Sequence, residues 1–207
     1  MIKKISPWAG IIGTIVFTLT FLLNGLLRPL YDPMKMYVSE LSIRPQGWIQ
    51  NINFMFLGGC LFVFAHGIPK YFTEGKAAHS GSILLKIIAI CYFFSGLFVT
   101  DSASMFDNQQ SIHGIIHGVL GAVVFSLSPA CCFVFWRHFL IDKDFKYMNT
   151  WTFIAGIIMV ITVVLMKIGQ LQPGILHEWA GVIQRCSLMT FYTWIVTFAF
   201  GLKKLQT

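Results

Sequence analysis

The residues best placed to do chemistry are His113 and His117, which end the polar stretch DSASMFDNQQSIHGIIH (101–117). Residues four apart share one face of a helix, and this spacing suits two ligands of one Zn²⁺ ion. A catalytic zinc site normally has a third protein ligand, and Asp101 or His177 would supply it. Two alternatives remain open. The histidines either cap a helix start and contact water, or they transfer a proton or contact a polar substrate.

A second pair of ionisable residues predicts a contact with substrate. Glu178 and Arg185 are seven positions apart, so they share a helical face, and Arg185 lies within an apolar run. An arginine in hydrocarbon is costly unless it is paired, and its planar fork suits a carboxylate or a phosphate. We therefore expect Arg185 either to pair with Glu178, Glu40 or Asp101 or to bind the substrate.

The link at residues 28–49 adds Ser39 and Glu40. Glu40 or Asp101 would serve as the general base of a hydrolytic reaction. Ser39 is a further candidate catalytic residue, although the residues around it form no nucleophile motif. The alternative interpretation of both residues is an ordinary solvated link.

The composition shows what must position these residues. The chain has 207 residues, of which 56% are hydrophobic and 11% are charged, and its mean hydropathy is +0.72. Soluble domains carry roughly 25% charged residues, so the bilayer is the solvent for most of this chain. Its basic residues form short clusters at the ends of apolar runs rather than one stripe, which argues against nucleic acid as a partner.

The apolar runs predict an all-α integral membrane protein, a single domain of six transmembrane helices. The predicted spans are residues 8–27, 52–69, 83–100, 113–136, 151–166 and 179–202. One side of the membrane receives Lys3, Lys4, Lys70, Lys76, Lys86, Arg137, Lys143, Lys146, Lys203 and Lys204. The other side receives only Arg28, Lys35, Arg44 and Lys167. The positive-inside rule then predicts that both termini are cytoplasmic, and it places the candidate site residues at the outer face.

Several short motifs resemble the domain-of-unknown-function 998 family of small multi-spanning membrane proteins from bacteria and archaea. The motifs are YDPMKMYVSELS (31–42), GWIQNINF (47–54), the FVTD that ends at Asp101, HGIIH (113–117) and GVIQR (181–185). The resemblance covers nearly the whole chain, and it implies a location in the bacterial inner membrane. The family pattern is expected to have an acid where this chain has Gln184. A looser likeness relates the Ser, Asp and His residues to the membrane hydrolases that include the alkaline ceramidases.

Two functions are compatible with these residues. The first is a metal-assisted hydrolase or transferase that acts on a lipid or lipid-linked substrate, with a divalent metal such as zinc as cofactor. The second is a non-enzymatic transporter or a lipid- or small-molecule-binding protein. A b-type cytochrome is disfavoured, because His113 and His117 share one helix. In either case we expect Asp101, His113, His117 and Arg185 to line one cavity at the outer face.

Overall fold

A computed structural model of the chain describes residues 1–43, 45–72, 76–102, 110–171 and 174–206. Within these ranges the protein contains seven α-helices and no strand. They are α1 (Ile2–Leu26), α2 (Gly47–Gly67), α3 (Lys76–Ser95), α4 (Ile112–Phe139), α5 (Asn149–Leu171), α6 (Ile175–Glu178) and α7 (Ala180–Lys204). Short 3₁₀ helices lie at Val38–Ser42, Ile68–Lys70 and Lys146–Met148. The all-α prediction is confirmed.

Among the described residues, α1 to α5 are long and apolar enough to cross a membrane. The prediction of a helical membrane protein is confirmed at this level. The sixth long helix, α7, has 25 residues but is more polar, because it carries Arg185 and three threonines at positions 190, 193 and 197. Helix α3 ends at Ser95, so residues 96–100 of the predicted third span lie beyond the helix.

The six long helices form a closed ring. Each one packs against the next along the chain, and α7 packs against both α5 and α1. Close packing needs small residues at some crossings. A side chain at Gly58 of α2 would place its Cβ 2.5 Å from the backbone nitrogen of Phe93 in α3. The contacts show that α1 and α2 run antiparallel, because Gly10 lies against Phe64 while Phe17, further along α1, lies against Phe54.

The two ends of the ring differ. At one end, called the aromatic end here, the centre is filled by rings that surround Phe198, all of them fully buried: Phe64, Phe135, Phe139, Phe145 and Trp194. Their centroids lie 4.9–5.7 Å from that of Phe198. At the other end, called the cavity end, residues 28–43 run past the helix ends and include the Val38–Ser42 helix.

Candidate functional site

A cavity of about 750 Å³ lies inside the ring at the cavity end. Its apolar lining includes Phe17, Phe54, Tyr92 and Leu188, where the Phe17 and Tyr92 ring centroids are 6.1 Å apart. Its polar lining comes from four of the long helices and two links: Tyr37, Ser39, Ser95, Thr100, Asp101, Ser102, Gln110, His117, Ser126, Lys167, Gln170 and Gln184. The cavity therefore joins an apolar interior to a polar rim.

Asp101 lies in this lining and anchors the start of α4. Its carboxylate accepts hydrogen bonds from the backbone N–H and the hydroxyl of Ser111, both at 2.8 Å. Ser111 is the N-cap of α4 and accepts a bond from the Gly114 N–H at 2.9 Å. The carboxylate lies so close to Gly114 that any side chain there would overlap it. The partial positive charge of the α4 N-terminus thus balances Asp101, which lies well beyond the C-terminus of α3.

His117 is buried and lines the cavity one turn into α4. Its Nδ1 lies 2.6 Å from the carbonyl oxygen of Phe98, and its ring packs edge-on against Phe54 at 5.8 Å. A carbonyl can only accept, so Nδ1 carries the hydrogen. In the neutral ring this leaves Nε2 as the proton acceptor.

The other two histidines predicted as zinc ligands, His113 and His177, lie outside the cavity lining. His113 is exposed and packs against Phe98 with a centroid distance of 5.4 Å, while His177 is exposed on α6. Neither lines the cavity, and the described residues contain no group of three His, Cys, Asp or Glu that would hold a metal ion. The predicted zinc ligands are therefore not brought together. Spacing puts His113 and His117 on one side of α4, but only the deeper ring is turned into the bundle.

Arg185 holds the 31–36 segment rather than lining the cavity. One of its nitrogens donates to the carbonyl oxygens of Pro33 at 2.7 Å, Met36 at 3.0 Å and Gly181 at 2.9 Å. The other donates to the Tyr31 hydroxyl, whose ring lies 5.6 Å from the guanidinium. Burial raises the pKa of Tyr31 despite the nearby cation, so the phenol remains neutral.

The expected carboxylate partner of Arg185 is absent from the described part of the chain. Glu178 pairs instead with Lys35 on the surface, and it lies outside the cavity lining. Carbonyl oxygens replace the carboxylate because a guanidinium has five donors, and three carbonyls with one phenol satisfy most of them.

The Val38–Ser42 helix brings Ser39 to the cavity but leaves Glu40 outside its lining. Glu40 is 4% exposed and accepts a bond from the Tyr37 N–H at 2.9 Å, which caps its own short helix. The Val38 N–H donates to Oε1 of Gln184 at 2.8 Å. Gln184, where the family pattern suggested an acid, therefore fixes the short helix against α7.

Residues 11–201 match a family described as "Protein of unknown function (DUF998)". The chain belongs to this family. The match confirms the resemblance that the motifs indicated, and it covers most of the helical ring. No curated protein and no solved structure matches the chain.

Lys167, Tyr37 and Gln170 are among the lining residues that the sequence analysis did not predict as members of a site. Lys167 counts there only as a topology signal, and Tyr37 appears only within a family motif. Gln170 carries no motif, and its Nε2 lies 3.4 Å from the Tyr37 hydroxyl across the link. The available signal was a single lysine near the end of an otherwise apolar run.

We predict that Arg185→Leu loosens the segment that carries Tyr37 and Ser39. The substitution removes the bonds from Arg185 to the carbonyl oxygens of Pro33, Met36 and Gly181 and to the Tyr31 hydroxyl, so we expect the free energy of unfolding to fall by roughly 2–3 kcal/mol. Trypsin should then cleave after the exposed Lys35 faster than in the wild type, as measured by gel and mass spectrometry in detergent. Arg137→Leu, an exposed arginine on α4, is the matched control. Equal cleavage rates in all three proteins would show that Arg185 does not hold the 31–36 segment in place.

Proposed function

We propose that this protein binds one amphiphilic molecule, a membrane lipid or a lipid-linked compound, in the cavity at the outer face of the bacterial inner membrane. The observation that carries the proposal is a cavity with an apolar interior and a polar rim inside a bundle of apolar helices. Its volume of about 750 Å³ falls within the range of small-molecule sites. That space holds a head group and part of an acyl chain.

The cavity is open on the side of α4. Gly118, Ala122 and Ser126 recur every four residues, so they share one helical face; all three line the cavity and are exposed. Val163, Met166 and Lys167 of α5 line the same space. We propose that an occupant enters between α4 and α5, from the side that lipid would cover.

The aromatic end supports binding over transport. The rings around Phe198 are fully buried and lie within 6 Å of it, so the space does not continue along the axis of the bundle. A transport pathway would need polar groups or water through that layer. The described rings leave no such route.

A second candidate function is hydrolysis or group transfer on the bound amphiphile. It is favoured by His117, whose Nδ1–H is fixed on the Phe98 carbonyl, leaving Nε2 as the acceptor in a cavity that Ser39 and Asp101 also line. A metal-assisted route finds no support in the donor set, because the described residues do not gather three metal-binding side chains.

We also propose six spans with both termini cytoplasmic, as the distribution of basic residues predicts. The 25 residues of α7 would extend about 37 Å, enough to cross the bilayer core. The hydroxyls of Thr190, Thr193 and Thr197 donate to carbonyl oxygens of α7 itself, so they need no water. Reporter fusions after Lys143 and after Gln110 should report cytoplasm and exterior respectively. The reverse result would place the cavity on the cytoplasmic side.

The binding proposal predicts that filling the cavity displaces the amphiphile. A Cβ at Gly118 or Gly121 meets no atom within 4 Å, so the side chains of Gly118→Phe and Gly121→Phe start in open space at the cavity wall. Native mass spectrometry of protein incubated with phosphatidylglycerol and phosphatidylcholine should show a one-to-one lipid adduct that both variants lose.

Gly59→Phe is the matched control. Gly59 is also a helical glycine with open space around its Cβ, but it lies on α2 outside the cavity lining. This variant should keep the adduct. If the cavity variants keep it as well, lipid does not occupy the cavity and the proposal is wrong.

A further inference from the structure

Lys167 is a cation in the cavity wall without a counter-ion among the described residues. It lies on α5, four residues and so about 6 Å before the last helical residue, Leu171. Lys167 takes part in neither of the ion pairs found in that part of the chain. Lys167 is exposed, so its ammonium group keeps its charge and is available to an anionic ligand.

Two further hydrogen-bond donors line the same cavity. Gln184 is 8% exposed, and its orientation is fixed because only Oε1 can accept from the Val38 N–H. Its Nε2 has no hydrogen-bond partner in the described part of the chain, and this atom is accessible from the cavity. The Tyr37 hydroxyl accepts from Gln170, which leaves its own hydrogen free to donate. Burial raises the pKa of Tyr37, so the phenol stays protonated.

The negative charge in the cavity is already balanced. Asp101 is the carboxylate among the described lining residues, and Ser111 at the α4 N-terminus donates to both of its oxygens. Glu40 and Glu178 lie outside the lining. Among the described lining residues, Asp101 already has fixed hydrogen-bond donors, whereas Lys167 has no fixed acceptor.

The walls beside Lys167 are apolar. Phe125 on α4 and Val163, Met166 and Leu171 on α5 line the cavity around it, next to the open face of Gly118 and Ala122. A chain attached to a group held by Lys167 would pass between α4 and α5 into lipid.

We infer that the amphiphile carries an anionic head group, a phosphate or a carboxylate, that binds Lys167 with support from Gln184 and Tyr37, while its chain leaves between α4 and α5. The inference rests on the proposed binding function and names the chemical class of its ligand. A zwitterionic head group would bring its own cation near Lys167, and it would lose much of the binding free energy that the anion gains from this lysine.

The test measures lipid binding by native mass spectrometry in a neutral detergent. The probes are phosphatidylglycerol, phosphatidylcholine with the same acyl chains, palmitate, and inorganic phosphate as a competitor. A charge-assisted hydrogen bond predicts about tenfold tighter binding of phosphatidylglycerol than of phosphatidylcholine. Lys167→Gln should remove this preference, and Lys167→Arg should retain it.

Lys86→Gln is the matched control, because Lys86 is a lysine on the apolar helix α3 outside the cavity lining. It should keep the preference. Tight binding of palmitate would identify a carboxylate as sufficient, and failure of inorganic phosphate to compete would confirm that the chain is required.

Other outcomes overturn the inference. Equal binding of both phospholipids, or an unchanged preference in Lys167→Gln, would show that Lys167 does not select the head group. Competition by inorganic phosphate would show an ion site rather than an amphiphile site. The proposed binding function would survive the first two results if Gly121→Phe still removed the adduct. It would fail separately if no adduct depended on Gly121.

Discussion

The cavity depends on the attachment of the 31–37 segment to α7 by Arg185. A guanidinium in a largely apolar bundle must be satisfied by protein groups, and here the carbonyls of Pro33, Met36 and Gly181 do so, together with the Tyr31 hydroxyl. The same segment leads into the short helix that carries Ser39. Gln184, which directly precedes Arg185 on α7, accepts a hydrogen bond from the Val38 N–H of that helix. One charged side chain therefore sets the position of an entire wall of the cavity.

The two ends of the ring have different roles. The aromatic end stabilises the fold, and the cavity end forms the proposed binding site. Around Phe198 the rings interlock with edge-on and tilted contacts and leave no exposed surface, which suits a rigid support. Toward the cavity end, glycines and polar residues replace these rings, and the helices α4 and α5 enclose space instead of filling it. The apolar lining at Phe17 and Tyr92 marks the boundary between the two regions.

Hydropathy predicted the helices well, because the bilayer imposes long apolar runs whatever the tertiary contacts. It also placed Ser39, Asp101 and His117 at one end, where the structure brings them into one cavity lining. Hydropathy does not predict which neighbouring element a side chain faces. The spacing of His113 and His117 defines a helical face but not the neighbour that this face meets, and a lone arginine does not reveal that carbonyl oxygens satisfy it. Lys167 was missed because a lysine near a helix end is the usual sign of a membrane boundary.

The central claim is that an amphiphile occupies the interior of the ring, and photo-crosslinking tests it most directly. Phosphatidylglycerol with a diazirine on its acyl chain is activated in the presence of the protein, and labelled peptides are mapped by mass spectrometry. Met166 and Leu188 line the cavity and are 8% and 5% exposed, so label on them can come only from inside. The account predicts label on these two residues that excess unlabelled lipid removes. Label confined to residues on the outer surface, such as Leu23 and Ile157, would contradict it.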